Sequence, residues 1–228
     1  MKQSNSTVKY MTQLALLIAV QIVMKLIGLG MVPVGPLKMS FLTVPVAIGA
    51  IVLGPLTGAI LGGVFGLISF YDALTGASVM TGTFLSISPV HTFILCVVTR
   101  ALMGWLTGLI ASGLQKVMKN NFRYFISALA APLLNTVLFM GYICLAFYHT
   151  DYVQSLCTAL GATNPIMFII LLVGVQGLIE AIACSLVGGQ KELMLLLKSR
   201  DFSTFLFLLK NVQKGVKILY MKALNAML

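Results

Sequence analysis

The sequence predicts an all-α integral membrane protein with six transmembrane helices and both termini cytoplasmic. Three observations lead there. Hydrophobic residues make up 59% of the 228, and the mean hydropathy is +1.03. Charged residues make up 9%, against about 25% in soluble domains, too few to cover a water-exposed surface of this size. Apolar runs of helical length alternate with short polar segments, and the basic residues gather in a subset of those segments.

The apolar runs fall at about 11–30, 41–53, 56–70, 89–113, 124–147 and 164–188. The first and the last three are long enough to cross a ~30 Å hydrocarbon core at 1.5 Å per residue. The second and third are short, roughly 20 Å each. They meet at Gly54-Pro55, which breaks a helix. Counting them as two spans puts Lys2, Lys9, Lys116, Lys119, Arg123 and seven tail cations on the inner side. The outer loops then hold only Lys38, with Lys25 expected to snorkel from the outer end of helix 1. One kinked span would put the loop around Lys116–Arg123 on the side opposite the N-terminus, against the positive-inside rule. Six spans is the better count, and the short ones imply thinning, tilt or burial behind other helices.

Two regions are expected, a six-helix membrane domain over 1–189 and a basic amphipathic tail over 190–228. The tail holds Lys191, Lys198, Arg200, Lys210, Lys214, Lys217 and Lys222 against Glu192 and Asp201. It reads as an interfacial helix on anionic lipid of the cytoplasmic leaflet, or as disorder, without a transport role. Nucleic-acid binding is a poor reading, because the charges flank apolar spans and no such motif is present. The N-terminus, MKQSNSTVKYMTQ, is polar for too long to be a tidy signal peptide, so the first apolar run stays a span.

Metal, redox and enzymatic chemistry find no support. Cys96, Cys144, Cys157 and Cys184 form no C-x-x-C pair and imply neither a disulfide framework nor a zinc site. No P-loop, H-E-x-x-H or G-x-S-x-G motif occurs, and no nucleophile–base pair is visible. Glu180 is the only acid at depth, so no proton relay crosses the membrane. No cofactor is expected, and energy for any transport comes from a partner or a gradient.

Small residues mark close helix packing. Gly54, Gly58, Gly62 and Gly66 recur every four residues, Gly104 and Gly108 repeat the spacing on the next helix, and Ala15 and Ala19 form a similar pair on the first. Packing within the molecule is the simpler reading of the glycine stripe.

Polar residues at depth mark a candidate site. Arg100 lies eleven residues into its run, about 16 Å from the outer end, where a charge costs about 2.5–3.5 kcal/mol on insertion scales. Asn135 and Gln176 reach a similar depth on two other helices, and Glu180 sits one turn beyond Gln176. Buried polar groups must find partners, and shared depth lets these meet. Arg100 and Glu180 either neutralise each other with Asn135 as a brace, or Arg100 floors an outward pocket and binds an anion with its planar fork of donors. Glu180 is also suited to holding Arg100 in place beneath such a pocket. Tyr71 and His91 are placed near the mouth, though an interfacial or loop-bonded histidine is the simpler reading of His91. Trp105 belongs to another face. The outer loops 71–88 and 148–163 are long for a compact bundle, which favours function over plain connection.

"VPVAIGAIVLGPLTGAILGGVFGLISF" and "SISPVHTFILCVVTRALMGWLTGLI", with "LLNTVLFMGY" and "GLIEAIAC", resemble the S-components of energy-coupling factor (ECF) vitamin transporters over about residues 10–189. The pantothenate-specific type is the most similar. The resemblance implies a subunit of the bacterial plasma membrane that captures a vitamin from outside and docks on a membrane T-component bearing two ATPase subunits. It topples in the bilayer to deliver its cargo. It also implies that an A-x-x-x-A pair on helix 1, matched by Ala15 and Ala19, packs against the T-component. Members of that family usually end shortly after the sixth helix, so the tail is a departure. Competing readings are the same scaffold with riboflavin, folate or cobalamin, and a membrane protein that assembles others and transports nothing.

Overall fold

The computed structural model describes residues 2–26, 28, 31–34, 37–118 and 122–188. The tail, 190–228, lies outside the described residues, as does Lys119. Helix α1 (Lys2–Leu26) leads into a two-stranded antiparallel hairpin, β1 (Met31–Val34) and β2 (Leu37–Ser40). Then come α2 (Thr43–Leu53), α3 (Pro55–Leu74), α4 (Val79–Ile87) and α5 (Pro89–Phe93). A π-helical turn, Ile94–Val98, joins α5 to α6 (Thr99–Val117), and α7 (Phe122–Ala146), α8 (Asp151–Leu160) and α9 (Pro165–Gly188) follow.

Each of the six expected apolar runs forms a helix over most of its described residues, and the long segments 71–88 and 148–163 carry structure of their own. Among the described residues, Thr7–Leu26, Pro55–Leu74, Pro89–Val117 and Phe122–Ala146 are long and apolar enough to cross a bilayer. Asp151–Leu160 and Pro165–Gly174, bent by 70°, make a fifth if counted together. Helix α2 falls short, with eleven residues covering about 16 Å. It lies inside the bundle instead, with Thr43 through Ile51 all buried. Its end is set by Gly54, whose φ of 101° is open to glycine, and Pro55 then starts α3 at a position where a missing N–H is harmless.

Glycines fix how α3 meets the Pro89–Val117 helix. A Cβ at Gly58 would stand 2.2 Å from the Gly104 carbonyl oxygen, one at Gly62 2.1 Å from that of Arg100, and one at Gly66 2.6 Å from that of Cys96. Gly108 meets Pro55 in the same way. Residue numbers rise on one helix as they fall on the other, so the pair is antiparallel and its backbones touch. The stripe thus has its partner inside the molecule, although Gly54 serves the break and has open space around it.

Helix α1 runs parallel to α3. The Tyr10 and Thr57 hydroxyls share a 2.9 Å hydrogen bond, and Lys25 forms an ion pair with Asp72; both ties span 47 residues. The Gln21 amide also donates to the Leu61 carbonyl at 3.3 Å. Lys25 therefore does not simply snorkel outward as expected. Asp72, whose side chain is 2% exposed, draws it onto α3 because a buried carboxylate needs a counter-charge.

Two cores result. One surrounds α2, with Leu17, Ile48, Leu61, Phe65 and Met103. The other joins α7 to the short helices α4 and α8, with Phe84, Phe139, Phe147, Val153 and Phe168. Helix α8 has Asp151 in its first turn, where a negative charge is favoured, and closes at Gly161 (φ 66°) with the Ala162 N–H bonded to the Cys157 carbonyl.

Candidate functional site

Arg100 sits where the two cores meet. It is 6% exposed, so it faces into the bundle and not toward lipid. Its guanidinium carbon lies 4.6 Å from the Phe65 ring centroid and 4.5 Å from that of Phe139, one ring from each core. Stacking between two rings offsets part of the lost hydration, because the quadrupole of each face attracts the cation. The π-helical turn before Arg100 supplies more. It places the Leu95 and Cys96 carbonyls where Arg100 Nη1 donates to them at 3.4 and 3.2 Å, and the Thr99 hydroxyl also donates to Leu95. A π turn of this kind widens a helix locally and recurs at functional positions. The Cys96 thiol lies beside both the guanidinium and the Ser69 hydroxyl. Arg100 Nε finds no hydrogen-bond partner among the described residues.

Asn135 belongs to the same neighbourhood. It lies one helical turn before Phe139, and its Oδ1 is buried without a partner among the described residues. Glu180, 5% exposed, is fixed from another side, its Oε1 accepting the Ser40 N–H at 2.6 Å. The Thr43 hydroxyl donates to the Ser40 carbonyl, and the Cys184 thiol to the Thr43 hydroxyl, so α9 holds the β2–α2 junction over two successive turns. Glu180 also lies within electrostatic reach of Arg100. Gln176 is part of α9, but its side chain lies outside the described residues.

The two residues expected at the mouth part ways. His91 shares a 2.8 Å hydrogen bond through Nδ1 with the Tyr142 hydroxyl, and its ring meets Phe147 edge-on at 6.2 Å. Phe147 stacks on Phe84 at 4.3 Å, and Tyr152 abuts Phe84 at 5.8 Å. This aromatic roof links α4, α5, α7 and α8 on the core that contains Phe139. His91 is itself exposed, and so is Tyr71, 62% exposed on the outward stripe of α3 with Ile60, Leu67 and Leu74. The helical period turns it away from Arg100, so the structure does not bring it to the buried polar layer. Trp105, 44% exposed with Leu102 and Leu109, is on the outer face, as expected.

Sequence reasoning missed Phe65, Phe139 and the Ser40 amide. The aromatics carried a usable signal, since Phe139 is four residues from Asn135 and Phe65 three from Gly62, both helical-neighbour spacings. The Ser40 contact crosses 140 residues and has no local signal.

On helix 1, Ala15 and Ala19 are exposed in a row with Val8, Met11, Ile22, Val23 and Leu26. The opposite side, with Leu17, Val20 and Gln21, is buried.

Apolar helices packed around a buried cation, under a roof of short helices, define a multi-helix membrane protein. Residues 9–188 match the family described as "ECF transporter, substrate-specific component", and the chain belongs to that family. A search of curated proteins finds no match. Membership makes the chain a transporter component and not an enzyme. Such a component binds a small-molecule substrate and works with T-component and ATPase partners.

Proposed function

We propose that this chain captures pantothenate from outside the cell and delivers it by docking on its T-component, which carries two ATPase subunits. The observation that carries the reading is Arg100: a buried guanidinium between two aromatic rings, with Nε unpartnered among the described residues, suits a carboxylate. Pantothenate offers one carboxylate together with hydroxyl and amide groups. In this reading Arg100 anchors the carboxylate, Asn135 Oδ1 accepts a hydrogen bond from the cargo, Gln176 completes the polar floor, and Glu180 belongs to the site from beneath that floor, beside Arg100. His91 contributes from the roof, and Tyr71 is left to the rim.

Six spans with cytoplasmic termini fit this function. The parallel run of α1 and α3 supports this count, with the chain returning between them through the hairpin and the short buried α2. The count also leaves the basic residues of 1–189 outside the bundle core mostly on one side, with the 190–228 tail beside anionic lipid of the plasma membrane's inner leaflet. Ala15 and Ala19 form the docking surface, their small side chains admitting a partner helix closely.

Mass spectrometry of small molecules retained by the purified protein, paired with melting curves over a vitamin panel, tests the proposal. Pantothenate should be retained and should raise the melting temperature. Retention of riboflavin, folate or cobalamin would reassign the cargo on the same scaffold, and no stabilisation by any vitamin would favour a non-transporting assembly protein.

A further inference from the structure

We propose that Glu180 is a positioning residue: it balances the charge of Arg100 when no cargo is bound, and through the Ser40 amide it ties the outer hairpin to that balance. The inference rests on the reading of Arg100 as the cargo anchor.

Geometry sets up the link. Glu180 lies fifteen residues into α9, about 22 Å along the helix, yet it bonds the last residue of β2. The base of the hairpin is therefore sunk to the polar layer, and Ser40 and Glu180 are each 5% exposed. The Ser40–Thr43–Cys184 bonds make the junction stiff, so a displacement of Glu180 is passed to β2 and not absorbed locally.

Electrostatics gives the link a sign. A buried carboxylate near a buried guanidinium stabilises the cargo-free site. A cargo carboxylate arriving at Arg100 meets repulsion from Glu180. Glu180 therefore weakens anion binding while steadying the site that performs it. A residue that hydrogen-bonded the cargo directly would do the reverse.

The test uses the full-length protein in detergent, with Glu180→Gln, Glu180→Ala and Arg100→Gln. Glu180→Gln keeps a side-chain oxygen for the Ser40 N–H and removes the charge. It should bind pantothenate about threefold more tightly or better by calorimetry, about 0.65 kcal/mol on the scale of 1.4 kcal/mol per tenfold. Its affinity for pantothenol, which lacks the carboxylate, should stay within about twofold on the same scale. Amide hydrogen exchange over 37–42 should match the unmodified chain in Glu180→Gln and quicken about tenfold in Glu180→Ala, where the buried acceptor is gone. Weaker pantothenate binding by Glu180→Gln, with binding abolished in Arg100→Gln, would overturn the role of Glu180 and leave the anchor standing. Unchanged exchange over 37–42 in a folded Glu180→Ala would overturn the link to the hairpin. Full pantothenate binding by Arg100→Gln, or none by the unmodified chain, would remove the anchor reading and this proposal together.

Discussion

The α-carbon of Gly62 lies against the carbonyl of Arg100, so closely that a methyl group on it would stand 2.1 Å from that oxygen. The contact explains how a charged residue is held at depth. Its backbone is pressed onto α3, and Phe65, one turn along α3, then lies over the guanidinium. Gly62→Ala should force the helices apart and destabilise the protein by about 1–3 kcal/mol, the usual range for overpacking. Gly63→Ala, with nothing within 4 Å of its Cβ position, is the control and should melt like the unmodified chain. Equal melting temperatures for the two variants would contradict the close antiparallel contact.

Phe139 covers the other face of Arg100. Phe139→Leu keeps an apolar side chain and removes the ring. The loss of one buried cation–π contact should lower stability by about 1–2 kcal/mol. A double-mutant cycle with Arg100→Gln isolates that share, since contacting residues show a coupling that distant ones lack. Strict additivity in thermal unfolding would mean that the ring fills space and nothing more.

The Lys25–Asp72 pair clamps the C-terminal end of α1 to α3. Removing one partner of a fully buried pair costs about 3–5 kcal/mol, but the Lys25 side chain is 28% exposed, which lowers the expectation for Lys25→Met to about 2 kcal/mol. Exchanging the two residues, Lys25→Asp with Asp72→Lys, should recover part of the loss. Denaturation of both variants checks this, and no recovery in the exchange would point to packing as the source.

Ala15 and Ala19 are exposed on α1, so enlarging them should leave the isolated protein intact. Ala15→Leu with Ala19→Leu should keep the melting temperature and the affinity for cargo. Uptake by cells and co-purification of the T-component should fall at least tenfold. Undiminished uptake would move the docking surface elsewhere.

The helices were legible in the sequence because lipid imposes a simple rule: apolar and long enough, broken at Gly54-Pro55. The glycine stripe was legible for a related reason, since a period of four marks one helix face. Which helix it met was not, because spacing on one element does not name the other. The buried polar cluster of Arg100 and Glu180 was visible as polar residues inside apolar runs. Its assembly was not: Glu180 turned out to hold Ser40, 140 residues away, and Tyr71 turned outward. The helices α4 and α8 inside the long segments 71–88 and 148–163 also escaped, because they are short and sit among Gly, Ser and Thr.

The most direct test of the account is a calorimetric titration of pantothenate into the purified protein and its Arg100→Ala variant. The account predicts at least a tenfold loss of affinity, about 1.4 kcal/mol, in a variant that still melts cooperatively. Unchanged affinity in that folded variant would contradict it.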